Sequence, residues 1–480
     1  AGTWQYDVSN FATPDIEVYD VTDFTAPRRI INTAVSPAAP HSVGFGATAD
    51  GARRYLALTP AAWRTPLAIE RAVYPASLYS LPNLLDAQNG ADYILIAHRD
   101  FWSQAETLVS YRDREFRAVL VDVQQIYDQF NGGMMSAEAI RDFLAYAHAN
   151  WSGTPPAYVL LMGDGTNDMR KYRTTTNTYI PPYLYLADPD LGETAADNRF
   201  VTFIGNDNIP DMHIGRFPVN DVNQAQAMVD KVMYYEIACQ CDGIWDRNTI
   251  FLADDLEGGG GDFYFYSDEI ADGYVDEANT VKLIPENYRI QKEYLGVTCD
   301  LGNPGDAAEC RGTLINTLNR TTPAPKQGAL FVSYVGHAVK EVWASENMFN
   351  KTANSQLNNG PCLPIMLAMT CYEGSFHDFE TPEVLAEASV RLAADPITGQ
   401  TRGSIASFSP TGFGLVTGHD YLERGLMLAW FHQGIDRLGA SVSYAKQYLV
   451  DNAPVNKYLD LLDTFLLLGD PALQVKTEAT

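Results

Sequence analysis

The sequence has little positive charge. Lysine and arginine number 33 against 60 aspartate and glutamate residues, which gives a net charge of −27. Binding to nucleic-acid phosphates needs clustered lysine and arginine, so we expect no nucleic-acid partner. An acidic surface attracts basic peptides, but it also keeps a protein in solution, and charge alone does not separate these two interpretations.

Long apolar runs are missing as well. None approaches the roughly 18–20 residues that cross a membrane, so we expect no membrane span. The chain starts at Ala1 rather than at a methionine, which we interpret as a start left by processing, with any signal peptide removed. At 480 residues, 46% of them hydrophobic, the composition is that of a globular protein with two or three domains.

Cysteines are few, and no two have the C-x-x-C spacing of redox and zinc sites. Cys239 and Cys241 are separated by one residue, and no second Cys/His cluster completes a metal set. Cys299 and Cys310 flank a loop rich in glycine, aspartate and proline, and we predict a surface disulfide between them. A secreted protein with one or two disulfides fits this pattern, and so does a cytosolic protein with six thiols.

What is present is a change of pattern along the chain. Residues 1–84 are rich in proline, threonine, valine and tyrosine with turn signals, which predicts a β-rich N-terminal segment. Strand-like and helix-like stretches then alternate, which predicts a mostly parallel sheet flanked by helices, an α/β fold. We divide this part into a smaller α/β subdomain (85–240) and a related second one (241–480).

The predicted strands of the α/β part lie at 93–97, 118–123, 158–162, 249–253, 329–335, 363–370 and 403–408. The predicted helices lie at 102–112, 137–151, 222–238, 268–278, 421–433 and 439–449.

Two of these strands each lead into a reactive side chain. Residues 329–335 run into Gly336-His337, and residues 363–370 run into Cys371. Chemistry in an open α/β sheet lies beyond the carboxyl ends of its strands, so an imidazole and a thiol would face each other if these strands are neighbours. That pair is the minimal set for a cysteine nucleophile with its general base.

Alternatives exist for both groups. A cysteine at a strand end is commonly an inert core residue, but Gly374 and other small or polar residues follow Cys371, as an open crevice requires. His377 is too close in sequence to face that thiol across a crevice. His98 belongs to the earlier α/β unit, and His213 is expected in a strand near the surface.

Several motifs resemble the gingipain family of cysteine peptidases, in the clan that shares the caspase-like fold. They are YVGH at 334–337 with Trp343 six residues after the histidine, TCYEGSF at 370–376, LLMGD at 160–164, PDMHIGRFPV at 210–219, YYE at 234–236 and LLGDPAL at 467–473. The resemblance runs in order over about residues 90–475. It implies a caspase-like sheet and a secreted or cell-surface bacterial endopeptidase that acts on proteins or peptides.

The resemblance also implies roles for individual residues. Cys371 would be the nucleophile and His337 the base, with the backbone N–H groups of Cys371 and Ala338 as the oxyanion hole. The family usually has glycine where Ala338 stands and often alanine where Thr370 stands. Alanine still supplies the N–H group, although it resists a positive φ.

The acidic, glycine-rich loop after the 249–253 strand carries two further expectations. Gingipains place here one carboxylate that orients the histidine and one at the floor of the S1 pocket, which pairs with a basic side chain. Spacing assigns these roles to Glu257 and Asp268, with Asp255 as a competing candidate for the first. Phe413 stands where the family has the tryptophan of the S1 wall, and Trp343 is grouped with the substrate-binding residues. The expected cleavage is therefore after arginine or lysine.

No cofactor is required for this chemistry, but gingipains bind structural calcium. Loop carboxylates offer the oxygen ligands that calcium prefers, without the spacing of an EF-hand: Asp188, Asp190, Glu193, Asp197, Asp207 and Asp211. Two functional alternatives stay open. A sortase-like transpeptidase would use the same thiol, base and oxyanion hole, and a catalytically silent binding module would keep only the fold.

Overall fold

The structure is a computed structural model that describes residues 2–24, 26–66, 71–188, 192–205, 207–238, 244–256, 258–276, 279–301, 305–320 and 328–477. Its contacts divide the chain into two compact units, 1–73 and 74–480. The first unit therefore ends at residue 73, where composition alone predicts a boundary at 84.

The first unit is built from strands, as predicted. They are β1 (Gly2–Phe11), β2 (Glu17–Asp20), β3 (Arg28–Ile30), β4 (Thr33–Val35), β5 (His41–Ala49) and β6 (Tyr55–Leu58). Two antiparallel sheets of three strands form, in the orders β1-β5-β4 and β3-β2-β6. A small core holds them together, made of Ile16, Val18, Val43 and Phe45.

The strands of the second unit are β7 (Tyr93–Ala97), β8 (Ala118–Asp122), β9 (Tyr158–Met162), β10 (Leu184–Asp188), β11 (Gly192–Ala195), β12 (His213–Phe217), β13 (Asn248–Ala253), β14 (Tyr274–Asp276), β15 (Asn279–Val281), β16 (Arg289–Tyr294), β17 (Phe331–Val335), β18 (Ala338–Val339), β19 (Val342–Trp343), β20 (Phe349–Asn350), β21 (Ile365–Met369), β22 (Ala406–Pro410) and β23 (Phe465–Leu468).

Its α-helices are α1 (Trp102–Arg112), α2 (Val123–Phe130), α3 (Ala137–Asn150), α4 (Val222–Met233), α5 (Phe263–Ala271), α6 (Ala308–Leu318), α7 (Lys351–Ser355), α8 (Leu385–Val390), α9 (Val416–Phe431), α10 (Leu438–Asn452) and α11 (Asp460–Thr464). Several begin at a polar side chain that accepts a hydrogen bond from the first turn, as helix N-termini require. These caps are Asp122, Ser136, Asp221, Asp262 and Asn350. Within the described residues, no helix is both long and apolar enough to reach across a membrane.

Ten strands form one large sheet in the order β16-β13-β17-β21-β22-β23-β12-β9-β7-β8. Neighbours are parallel except β22 and β23, which are antiparallel. The sheet therefore consists of two parallel halves whose carboxyl ends lie at opposite edges. Although it belongs to segment 241–480, β23 lies in the half formed by the strands of 85–240, so both predicted subdomains contribute to one half of the sheet.

Both faces of the sheet are covered by apolar packing, which explains why its strands are almost uniformly hydrophobic. Along β17, Phe331 and Val335 pack with side chains of α5 and α9. The residues between them, Val332 and Tyr334, pack with side chains of α6 and α7 on the other face. This alternation fixes which face each residue beyond the strand can reach.

A disulfide joins Cys299 to Cys310 with a Cα–Cα distance of 5.3 Å, which confirms the predicted pairing. Its predicted location at the surface is wrong, because both cysteines are buried in the core that contains α6. Cys362 is also disulfide-bonded, whereas Cys239 and Cys241 lie outside the described residues. In the part of the chain that the structure describes, Cys371 is the cysteine that forms no disulfide.

Replacing both Cys299 and Cys310 with serine is expected to lower the free energy of unfolding by about 2–3 kcal/mol, because the bridge restricts the unfolded chain. Urea denaturation followed by tryptophan fluorescence measures this change. An unchanged midpoint in the double variant, with wild type oxidised, would show that the bridge adds nothing to stability.

Candidate active site

The two reactive side chains follow neighbouring strands at the same register. Val335 at the end of β17 lies beside Met369 at the end of β21, and the Gly336 N–H points to the Met369 carbonyl at 3.5 Å. Each reactive residue comes two positions later, His337 on one strand and Cys371 on the other. The predicted adjacency of these strands is confirmed, and both side chains lie at the edge of the sheet where the strands end.

The thiol lies on a tight turn. Cys371 is half-buried, and its Sγ lies 3.7 Å from the Gly414 carbonyl oxygen. Tyr372 has a φ of 59°, a left-handed conformation that costs a non-glycine residue roughly 1 kcal/mol or more. The Tyr372 N–H donates to the Gly412 carbonyl at 3.1 Å. The backbone around the thiol is therefore held by the loop that follows β22.

The imidazole of His337 is exposed and lies against the glycine-rich loop that follows β13. Its Nε2 is 3.0 Å from the Gly259 carbonyl oxygen. A carbonyl only accepts, so Nε2 carries the hydrogen in this contact and Nδ1 is left with a free lone pair. The ring of Phe263 meets the imidazole edge-on at 5.1 Å. This arrangement leaves Nδ1 as the atom that can take up a proton.

Only glycine fits this loop at its closest approach. Residue 260 has a φ of +91°, and a Cβ there would lie 2.9 Å from Cε1 of His337. Residue 259 has a similar φ of +84°, but a Cβ there would meet nothing within 4 Å. The run of glycines at 258–261 therefore does more than turn the chain, because it lets the backbone contact the imidazole.

Asp254 fixes the backbone of the histidine and was missed by sequence reasoning. Its buried carboxylate accepts the His337 N–H at 3.1 Å and the Asp255 N–H at 2.9 Å. Burial raises the pKa of Asp254 to about 6. From the other side, the Tyr334 hydroxyl donates to the His337 carbonyl. The sequence did hold one sign of its role, its position. Asp254 directly follows β13, which pairs with β17 on the side opposite β21.

Asp255 and Glu257 are the two candidates for orienting the imidazole. Glu257 lies outside the described residues. Asp255 is half-buried at the carboxyl end of β13, beside Asp254. Their orienting role remains a prediction.

Asp268, predicted at the floor of an S1 pocket, has other partners. It lies on α5, where it accepts the Lys292 ammonium at 2.5 Å and the Tyr294 hydroxyl at 2.8 Å. A carboxylate with its own lysine is poorly placed to receive a second cation. The contact with β16 therefore argues against the predicted role.

Asp262 is the exposed carboxylate nearer to the imidazole loop. It precedes α5 and accepts the Phe265 N–H at 3.0 Å. The preceding residue, Gly261, lies against the start of α9, since a Cβ there would come within 2.6 Å of Val416. Asp262 is thus located where the loop over His337 meets the segment that follows Phe413. In the sequence Asp262 resembles an ordinary helix cap, so it was not predicted as a site residue.

The two aromatic candidates lie in different environments. Phe413 is 41% exposed and meets the ring of Tyr372 edge-on at 4.6 Å, beside the nucleophile turn. Trp343 is fully buried and stacks on Tyr334 at 4.6 Å. A side chain without exposed surface does not line an open pocket, so Trp343 supports the chain behind the histidine instead of contacting a substrate.

The three other histidines considered from the sequence lie in different environments. His377 is buried, which lowers its pKa to about 4, and its Nε2 lies 3.4 Å from the Thr194 hydroxyl. His98 follows β7, at the opposite edge of the sheet, and packs edge-on against Tyr179. His213 lies within β12, where Nδ1 contacts the Ser443 hydroxyl at 2.7 Å.

An open cleft of about 490 Å³ begins beside the nucleophile turn. The charges at its rim are already paired, Lys340 with Asp378 and Glu341 with Lys351. Its lining includes Val339 and Tyr372, the residues closely following the histidine and the cysteine. A volume of this size accommodates side chains of an extended peptide.

Two of the carboxylates named as calcium ligands have protein partners, and the calcium site remains a prediction. Asp197 pairs with Arg216 at 2.6 Å, and Asp211 accepts two backbone N–H groups. Within the described ranges, the group of three candidate ligand residues with donor atoms within 4.8 Å is Cys299, Asp300 and Cys310, whose two thiols are joined. Asp190 and the side chain of Asp188 lie outside the described part.

Comparison with known proteins agrees with this geometry. The chain is 23% identical over 400 residues to gingipain R1 of Porphyromonas gingivalis, covering 82% of this chain and 35% of that protein. Identity to gingipain R2 of the same organism is also 23%, covering 82% and 47%. The chain thus spans about a third to a half of the length of these curated relatives.

Solved structures support the fold. The crystal structure of the Arg specific cysteine proteinase gingipain R matches with a TM-score of 0.61 and 20% identity, over 81% of this chain and 79% of that one. The large, mostly parallel sheet is therefore of the caspase-like kind, as predicted. The model of peptidase family C25 matches residues 86–476, and the chain belongs to that family.

Proposed function

We propose that this protein is a cysteine endopeptidase in which Cys371 is the nucleophile and His337 the general base. The observation that carries the proposal is the register of β17 and β21, which brings a half-buried thiol outside any disulfide and an exposed imidazole to one edge of the sheet. A thiol with an adjacent base is the arrangement that nucleophilic acyl transfer needs.

The reaction follows from the atoms available. Nδ1 of His337 takes the proton of the Cys371 thiol, and Sγ attacks the carbonyl carbon of the scissile bond. The oxyanion accepts hydrogen bonds from the N–H groups of Cys371 and Ala338. The imidazolium then protonates the leaving amine as the C–N bond breaks. Water, deprotonated by the same imidazole, hydrolyses the thioester and restores the thiol.

We also propose that cleavage follows arginine or lysine. The solved relative is described as Arg specific, and the net charge of −27 agrees in sign. Within the site, the exposed carboxylate of Asp262 and the ring of Phe413 would receive such a side chain, in place of the occupied Asp268. A carboxylate beside an aromatic face suits guanidinium in particular.

Two further points belong to this proposal. Disulfides persist in oxidising compartments, so the Cys299–Cys310 bridge and the bonded Cys362 favour a secreted or cell-surface protein; recovery of the native protein only from cytosol would contradict this. No cofactor enters the chemistry, because thiol, imidazole and backbone N–H groups supply every step.

The experiment that tests the proposal is hydrolysis of a fluorogenic peptide library, with variation at P1. Wild type should release the fluorophore, and a thiol-directed peptidyl inhibitor should label Cys371 and stop the reaction. An inert wild type that the inhibitor fails to label would contradict the peptidase and favour a silent binding module.

Gly260→Ala is expected to lower kcat/KM by about 10²-fold, because a Cβ at 2.9 Å from the imidazole displaces the base. Gly259→Ala is a matched control. Both residues have a positive φ, so both substitutions strain the backbone, but of the two added Cβ atoms only the one at residue 260 would meet the ring. Kinetics at fixed pH and thermal unfolding of both variants separate displacement of the base from strain. Equal losses of activity in the two variants would argue against the contact.

A further inference from the structure

A carboxyl group is buried directly beneath the nucleophile turn. Glu373 follows Cys371 by two residues and is 2% exposed. Its backbone carbonyl accepts the Ala386 N–H, and the next residue, Gly374, donates to the Pro410 carbonyl at 2.8 Å. The proposed reaction does not use this carboxyl group. Within the part of the chain that the structure describes, it has no arginine or lysine partner that would account for its burial.

The polar neighbours of this carboxyl group come from the two elements that build the site. The side chains that present hydrogen-bond donors toward it are those of Ser409 and Trp343. Ser409 belongs to β22, and Trp343 ends the hairpin strand β19, which pairs with the residues directly after His337. Oε2 of Glu373 and Nε1 of Trp343 are both buried without a hydrogen-bond partner within bonding distance. A small movement would join the histidine hairpin to the cysteine turn.

Among the described residues, no lysine or arginine is paired with the carboxyl group. The nearby Lys340 ammonium is bound to Asp378. His377 is buried and neutral, because burial lowers its pKa. Behind Trp343, Tyr334 faces the buried Asp254, which adds negative charge. Ionisation of Glu373 would thus place an unpaired charge between β22 and the Trp343 hairpin, which is costly in a low dielectric.

Burial raises the pKa of Glu373 to about 8. A raised pKa means that the folded protein holds a proton which the unfolded chain releases at about pH 4.5. The folded state therefore loses stability as the pH rises from about 4.5 to about 8. Below pH 8 the group is a neutral acid, able to donate as well as accept.

We propose that neutral Glu373 is a positioning residue that holds the Cys371 turn against the Trp343 hairpin, and that its ionisation displaces the thiol from the imidazole. The inference rests on the proposed function, since it concerns the alignment of that thiol with His337. The proposal predicts that activity falls at alkaline pH because Glu373 ionises, and that this fall does not come from Cys371 or His337.

The test compares wild type with Glu373→Gln and Glu373→Ala. Glutamine has the same shape and cannot ionise, so it should retain at least a third of wild-type kcat/KM at pH 6.5. From pH 7 to pH 9 wild type should lose about tenfold, since only about a tenth of a group with a pKa near 8 is neutral at pH 9, whereas the glutamine variant should lose less than twofold. Alanine, which cannot bridge, should lose activity at every pH. If kcat/KM of wild type and of Glu373→Gln falls equally from pH 7 to pH 9, the proposal is overturned.

A second readout does not depend on turnover. The rate of Cys371 alkylation by iodoacetamide, located by peptide mapping, should change between pH 7 and pH 9 in wild type and differ from that of Glu373→Gln. Trp343→Phe keeps the ring stack but removes an N–H group that lowers the pKa of Glu373, and should shift the wild-type alkaline limb to higher pH. If wild type hydrolyses no peptide yet its alkylation depends on Glu373, the peptidase proposal fails and the positioning role stands. If hydrolysis is normal and alkylation is indifferent to Glu373, the positioning role fails alone.

Discussion

Cys371→Ala is expected to abolish peptide hydrolysis, because no other described cysteine offers a free thiol at the edge of the sheet where β17 and β21 end. The acyl-enzyme cannot form without Sγ, so the loss should reach the detection limit. The variant should keep its fold, since the thiol is half-buried on a turn. Initial rates on a fluorogenic peptide and thermal unfolding measure both expectations.

His337→Ala should lower kcat/KM by roughly 10²–10⁴-fold, the usual contribution of a general base. His98→Ala is the matched control, because His98 also follows a parallel strand but lies at the opposite edge of the sheet.

Substantial hydrolysis by purified Cys371→Ala would end the cysteine-peptidase proposal. Repeating the wild-type assay with an added amine nucleophile separates hydrolysis from transpeptidation, since a ligated product forms only in the latter.

The sequence predicted the parts of the fold that depend on buried parallel strands. Strands 93–97 and 158–162 were predicted with the bounds that β7 and β9 have, and 363–370 is β21 with a few extra residues. Uniformly apolar runs arise because both faces of the sheet are covered. The ends of these runs fixed the positions of His337 and Cys371, and hence the centre of the candidate site.

Features that depend on contacts between distant segments could not be predicted in this way. The antiparallel junction of β22 with β23 joins residues more than fifty positions apart, and no local pattern records which strands pair. The same holds for Asp254, whose carboxylate meets the His337 N–H only because β13 lies beside β17. Glu373 reads as one polar residue in a turn, and its burial follows from packing against β22 and the Trp343 hairpin.

Resemblance is informative for a motif and weaker for a single residue in a loop of variable length. The family's residue spacing assigned the S1 carboxylate to Asp268. In the structure, α5 already begins at Phe263, and Asp268 on that helix pairs with Lys292. Counting residues across a loop does not show where the following helix starts. The helix start instead leaves Asp262 at the loop over His337, which changes the residue to be tested.

Asp262→Asn should therefore lower kcat/KM for substrates with arginine at P1 by about 10- to 100-fold, the loss expected for a hydrogen bond to a charged group, while substrates with a neutral P1 residue change little. Asparagine is as good a helix cap as aspartate, so α5 should remain intact. Asp268→Asn is the control: it removes a half-exposed ion pair with Lys292, which typically stabilises by only about 0–1 kcal/mol, and it should leave the ratio of arginine to neutral substrates within about twofold. Measuring that ratio in both variants decides between the two carboxylates, because a collapse of arginine preference in Asp268→Asn alone would restore the assignment made by spacing. A wild type that prefers neutral or acidic P1 residues would instead reject both carboxylates as S1 residues and leave the thiol chemistry untouched.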